Sequence, residues 1–214
     1  MIDIHTHTLL SDGELIPAEF LRRSEARHYR GLALTDHVDN ATIEAIVPML
    51  VKLCRELKRY TKVKIVPGAE ITHCRPEQLA QLVSEARRLG AELVIVHGET
   101  IVEPVMPGTN RAAIEAGADV LAHPGLITLA DAKFAAEKGV YLEISARKGH
   151  CLTNGYVYQT GKKAGAKFVF GSDSHSPEEI RDREFAEKVL AGAGMTNKEI
   201  KDVFKNMAKL IGLA

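Results

Sequence analysis

The sequence contains no tryptophan, and aromatic residues make up only 5% of its 214 positions. Proteins that grip single-stranded nucleic acid combine basic grooves with aromatic stacking platforms. This scarcity counts against that class. A surplus of either charge is missing too: 28 Lys and Arg balance 28 Asp and Glu, for a net charge of zero with neutral histidines. No bulk basic excess marks a nucleic-acid binder, and no such partner is expected. Cysteine is limited to Cys54, Cys74 and Cys151, widely spaced and without a C-x-x-C pair. They read as reduced thiols rather than a disulfide framework. No hydrophobic run approaches the ~20 residues of a membrane span, and the N-terminus lacks the basic and apolar regions of a secretory signal. A cytoplasmic protein without a membrane partner is expected.

What the chain has in quantity is a repeated unit of helix, glycine, short apolar strand and polar residue. Strands are expected at Ile2–Ile4, Leu32–Thr35, Val63–Val66, Leu93–Val96, Asp119–Ala122, Val140–Leu142 and Lys167–Phe170. They are apolar on both faces, as buried parallel strands are. Pro67-Gly68 is expected to bend the chain after the third strand, and the sixth is expected to end at Glu143. Helices fill the gaps. Pro17 and Pro76 stand at first helical positions, Asn40 and Thr128 are candidate caps, and Ser176-Pro177-Glu178-Glu179 is a capping box opening a helix to about Leu190. Thr196-Asn197-Lys198-Glu199 opens an amphipathic C-terminal helix, which either covers the barrel or serves a dimer. With no linker or composition break, residues 1–214 read as one domain, with 194–214 as its covering helix. Right-handed β-α-β crossovers repeated in this way predict an α/β fold, a (β/α)7 TIM-like barrel one unit short of eight. An open doubly wound sheet is the runner-up, but no G-x-G-x-x-G supports it.

The polar residues that end these strands carry the chemistry. His5 and His7 stand at i and i+2, so on an extended chain their imidazoles face the same side. His37, Glu70, His97, His123, Glu143, Asp173 and His175 lie at or just past other strand ends. In a β/α barrel those ends converge on one mouth. Of nine histidines, all but His28, His73 and His150 occupy such positions. Imidazole suits Zn, Fe, Ni and Cu, and carboxylates add hard oxygen donors. Six imidazoles with Glu70, Asp173 and Asp12 exceed what one ion needs, so two or three divalent ions are implied. Such clusters generate hydroxide from a bridging water near neutral pH and clamp an in-line phosphoryl displacement. Phosphate esters suit the arrangement best, and amide or ester hydrolysis at a binuclear site comes next.

The ordered series His-x-His, Ser-Asp-Gly, Thr-Asp-His, Gly-x-Glu, His-Gly, His-Pro-Gly and Gly-Ser-Asp-x-His, from His5 to His175, resembles the PHP (polymerase and histidinol phosphatase) family. That resemblance implies a distorted seven-stranded barrel with a trinuclear site for Zn, Mn or Fe and phosphoester hydrolysis. By the same carry-over, His5, His7, Glu70 and Asp173 would hold the first ion. His37 and His175 with Asp12 would hold the second, and Glu70, His97 and His123 the third. Asp12 stands where some members have a histidine.

Asp36 is expected to orient the imidazole beside it. Arg147 and Lys148 could bind phosphate at the mouth, Arg in bidentate fashion. The leading expectation is a phosphatase acting on a small phosphorylated substrate of the histidinol phosphate kind. A nuclease or phosphodiesterase and a non-catalytic metal-stabilised binding module are the alternatives.

Overall fold

The computed structural model describes residues 1–213. Its strands are β1 (Ile2–Asp3), β2 (Gly31–Leu34), β3 (His37–Val38), β4 (Lys64–Ile71), β5 (Leu93–His97), β6 (Val120–Ala122), β7 (Tyr141–Ser145) and β8 (Phe168–Gly171). Every pairing between them is parallel, in the order β1-β2-β4-β5-β6-β7-β8, with β3 beside β4. β2 and β3 are one stave with a break: Gly31 pairs with Lys64 and His37 with Glu70, the same offset along β4. The eight segments therefore make seven staves. A Thr6–Ser174 bridge and the bond from Asp173 N–H to the His5 carbonyl (2.9 Å) bring β1 against the chain leaving β8. The barrel is nearly closed, as the repeated crossovers predict.

The helices are α1 (Pro17–Ala26), α2 (Ile43–Leu57), α3 (Leu79–Arg88), α4 (Thr109–Glu115), α5 (Leu129–Lys138), α6 (Asn154–Ala164), α7 (Arg183–Gly192) and α8 (Asn197–Leu210). They bury apolar stripes on the outside of the strands, as Leu79, Leu82, Val83 and Ala86 do for α3. Thr128 and Thr196 cap their helices as expected, each hydroxyl accepting an N–H three residues on. α8 lays Ile200, Val203, Phe204 and Met207 inward across β8 and β1. No helix among the described residues is long and apolar enough to cross a membrane.

Four local expectations need correction. Pro67-Gly68 does not end a strand, because β4 runs straight through it. A Cβ on Gly68 would crowd Thr35 and the Leu93 carbonyl, so glycine lets these staves close up. β7 continues past Glu143 to Ser145. Asp39 rather than Asn40 organises the start of α2, its carboxylate accepting from the N–H groups of Ala41 and Thr42. The Ser176–Glu179 capping box forms, but it opens only one 3₁₀ turn. Ile180, extended and 1% exposed, anchors the chain in the core before Asp182 caps α7.

Candidate metal centre

The C-terminal ends of the staves meet at a cavity of about 510 Å³. Its walls carry Asp12, His37, His97, Asp173 and His175, and beneath them lie His5, His7, Glu70 and His123, all buried. Asp173 and His123 take φ of 54° and 25°. Side chains rarely adopt that left-handed region, and such strain concentrates at functional sites.

All nine expected ligand residues converge. Nitrogen or oxygen atoms of His5, His7 and Glu70 come within 4.8 Å of one another, as do those of His5, His123 and Asp173, and those of His7, Asp12, His37 and His175. Glu70 sits at the centre. Its Oε2 is 3.3 Å from His5 Nε2, 3.5 Å from His7 Nε2 and 2.7 Å from His37 Nδ1, and its Oε1 is 3.7 Å from His123 Nε2. Asp173 Oδ1 lies 3.2 Å from His7 Nε2, while Asp12 Oδ1 lies 3.2 Å from His175 Nε2.

The surrounding chain fixes which ring nitrogens face inward. Glu143 Oε1 accepts from His5 Nδ1 at 2.6 Å, the Gly98 carbonyl accepts from His97 Nδ1 at 3.1 Å, and the Asp173 carbonyl accepts from His175 Nδ1 at 2.9 Å. In each case the other nitrogen, Nε2, is turned towards the cluster, the arrangement found around metal-ligating histidines. Those inward atoms are short of partners. His5 Nε2, both ring nitrogens of His7 and His123, and both oxygens of Glu70 are buried without a hydrogen bond. Buried polar atoms are nearly always satisfied, so a cluster of orphaned donors to metal fits divalent ions.

Electrostatics divides the imidazoles. Burial, with cationic neighbours such as His37 for His7 and His97 for His123, holds His7 and His123 well below the usual histidine range. They are neutral, the ligating form. For His5 burial again opposes charge, but Glu143, Glu70 and Asp173 outweigh it and raise the pKa well above normal. Glu70 is driven down despite its burial by His5 and His37.

The remaining expected residues are placed unevenly. Arg147 lines the cavity, with Nη1 3.1 Å from Glu179 Oε2 and Nε 4.0 Å from Asp173 Oδ2. Lys148 is exposed and does not line the cavity. Asp36 touches no imidazole. Its carboxylate accepts from Thr8 N–H and from the Thr8 and Ser11 hydroxyls, shaping the loop that carries Asp12.

Three residues outside the expected set do reach the site. Glu103 Oε2 is 3.0 Å from both His97 Nε2 and His73 Nε2, and its Oε1 is 3.4 Å from His150 Nε2. The hydrogen bond from His97 holds Glu103 down to about 2, and burial lowers His150 to about 4. His150 and Glu103 lie in loops that no periodicity signals, while His73, two residues past β4, is near enough to Glu70 to line the site but matches no ligand motif.

No protein-family profile matches the chain. It is 43% identical over 209 residues to "Uncharacterized protein MJ1295" of Methanocaldococcus jannaschii, covering 97% of this chain and 96% of that one. Among solved structures it is similar to the histidinol phosphate phosphatase of Lactococcus lactis complexed with zinc, L-histidinol and phosphate. The TM-score is 0.61 at 18% identity, over 91% of this chain and 94% of that one. It is also similar to the putative histidinol phosphatase of Listeria monocytogenes, with TM-score 0.61 and 10% identity over 87% and 99% of the two chains. A Xaa-Pro dipeptidase with bound methionine gives TM-score 0.68 at 12% identity, over 100% of this chain and 75% of that one.

Proposed function

Since the chain belongs to the same family as the uncharacterized M. jannaschii protein, whose name assigns no chemistry, we propose from the site itself that it is a metal-dependent phosphoesterase of the PHP type, cleaving a small phosphate monoester. The observation that carries the reading is the set of buried imidazole nitrogens and carboxylate oxygens that converge without hydrogen-bond partners. Two to three ions of Zn, Mn or Fe fit them. His5, His7, Glu70 and Asp173 would hold one, Asp12, His37 and His175 a second, and His97 and His123 a third with Glu70 between. Ions there supply Lewis acidity towards phosphoryl oxygens and lower the pKa of water.

The protein's own groups orient and bind. Glu143, Gly98 and the Asp173 carbonyl hold His5, His97 and His175 with their Nε2 atoms inward. Arg147, on the cavity wall, is the guanidinium for the phosphoryl oxygens. The bound zinc, L-histidinol and phosphate of the L. lactis neighbour support this choice. The likeness to a Xaa-Pro dipeptidase favours amide hydrolysis as the second reading.

Protein purified without chelator, analysed for metal and assayed with p-nitrophenyl phosphate, its bis-ester and Xaa-Pro dipeptides, tests the proposal. Two to three ions per chain and preference for the monoester are expected. Preference for the bis-ester supports a phosphodiesterase, and peptide turnover supports the second reading. No bound metal and no activity with added Zn, Mn or Fe would overturn it.

A further inference from the structure

The carboxylate of the Ser176–Glu179 capping box does more than open a turn. Glu179 Oε2 accepts the N–H of Ser176 at 3.2 Å, as a box requires, and also the N–H of His175 at 2.8 Å. The Glu179 carbonyl accepts from the Ser174 hydroxyl at 2.6 Å, and the next residue, Ile180, is buried in the core. Backbone bonds and the core thus fix this carboxylate on the chain leaving β8. Arg147 reaches it from the turn after β7. Its Nη1 donates to Glu179 Oε2 at 3.1 Å and lies 3.3 Å from Oε1, while its own N–H donates to the Ser145 hydroxyl at 3.1 Å. Nη2 has no partner among the described residues, and the side chain lines the cavity.

Without Glu179 the guanidinium would have a second carboxylate to turn to. Its Nε is already 4.0 Å from Asp173 Oδ2. A guanidinium is a planar fork that matches a carboxylate as well as it matches a phosphoryl group. Closed on Asp173, it would take an oxygen wanted by the first ion and be lost to the substrate. Glu179 supplies the nearer partner, and because that partner is anchored, it holds the fork at the cavity wall before substrate arrives, which lowers the cost of binding. We infer that Glu179 is a positioning residue for phosphoryl binding: it holds Arg147 off Asp173 and ties it to the turn that carries His175. This rests on the phosphoesterase reading above. The cation for the phosphoryl group and a ligand of the second ion then share one anchor.

Steady-state kinetics of the metal-loaded protein with p-nitrophenyl phosphate, and inhibition by inorganic phosphate, test the assignment in a double-mutant cycle of Glu179→Gln and Arg147→Ala. Glu179→Gln is expected to raise KM and the phosphate inhibition constant about fivefold, with kcat changed less than about twofold. The double variant is expected to be no worse than Arg147→Ala alone, because residues that act as a unit do not add. Glu178→Gln, the same charge change at the exposed neighbouring position, is the control and is expected to match wild type. Glu179→Asp keeps the charge but shortens the reach, and is expected to show the same loss; it decides the question if Glu179→Gln misfolds by far-ultraviolet dichroism. Wild-type constants in the folded Glu179 variants would overturn this assignment alone. So would a Glu179→Gln loss that adds in full to that of Arg147→Ala, since Glu179 would then act elsewhere. Wild-type protein without monoesterase activity under added Zn, Mn or Fe would overturn it together with the phosphoesterase reading.

Discussion

Nδ1 of His5 lies 2.6 Å from Oε1 of Glu143, a buried contact spanning 138 residues of sequence. The other oxygen of Glu143 accepts the backbone N–H of His123 at 3.1 Å. One carboxylate thus sets the tautomer of one expected ligand and the backbone position of another. Glu143→Ala is expected to lower metal affinity about 10–100-fold, the usual loss when a group orienting a ligand is removed. Competition against a chromophoric chelator measures it, and affinity equal to wild type would remove Glu143 from this role.

The same carboxylate explains the glycine of Gly-Ser-Asp-x-His. A Cβ on Gly171 would overlap Glu143 Oε1 and come within 2.9 Å of His5 Cβ. Gly171→Ala is expected to cost about 1–3 kcal/mol through overpacking and to weaken metal binding as well. Gly192→Ala is the control, because nothing lies within 4 Å of its would-be Cβ. Urea unfolding of the stripped proteins separates them, and equal midpoints would contradict the packing argument.

The barrel was legible because each stave announces itself twice, by a short apolar run and by the polar residue that ends it. Even the broken β2–β3 stave follows this pattern, with Thr35-Asp36 interrupting it and His37 resuming the register. The sequence did not disclose His150 and Glu103, and it offered His73 as near the site without a motif to give it a role. Their approach depends on loop geometry, a positive φ at Gly149 and another at His73, which no 2.0 or 3.6 periodicity encodes. The Ser176 capping box misled for a related reason. A cap signals where a helix starts, while the burial of Ile180 decides where that one stops.

Arg147 and Lys148 are adjacent in sequence, but only Arg147 lines the cavity. Arg147→Ala is expected to lower kcat/KM for the monoester about tenfold or more, about 1.4 kcal/mol of transition-state binding. It should also weaken inhibition by inorganic phosphate. Lys148→Ala, at an exposed position, is expected to stay within about twofold of wild type. Steady-state kinetics on both variants checks the contrast, and equal losses would place the phosphate site elsewhere.

Asp3 makes the stability of the stripped protein depend on pH. Its Oδ1 accepts from Ser172 N–H at 3.1 Å and joins β1 to the chain leaving β8, while Oδ2 is buried without a partner. Burial outweighs these bonds and pushes its pKa up to about 6 from an ordinary 3.8. The folded protein therefore holds this proton more tightly than the unfolded chain. The stabilisation is complete below about pH 4 and is lost as pH rises through about 6, up to about 3 kcal/mol in all. Asp3→Asn is neutral throughout and keeps the Oδ1 acceptor. The Tm of Asp3→Asn minus that of wild type is therefore expected to be larger at pH 8 than at pH 4. A difference that does not change with pH would show that Asp3 does not take up a proton on folding.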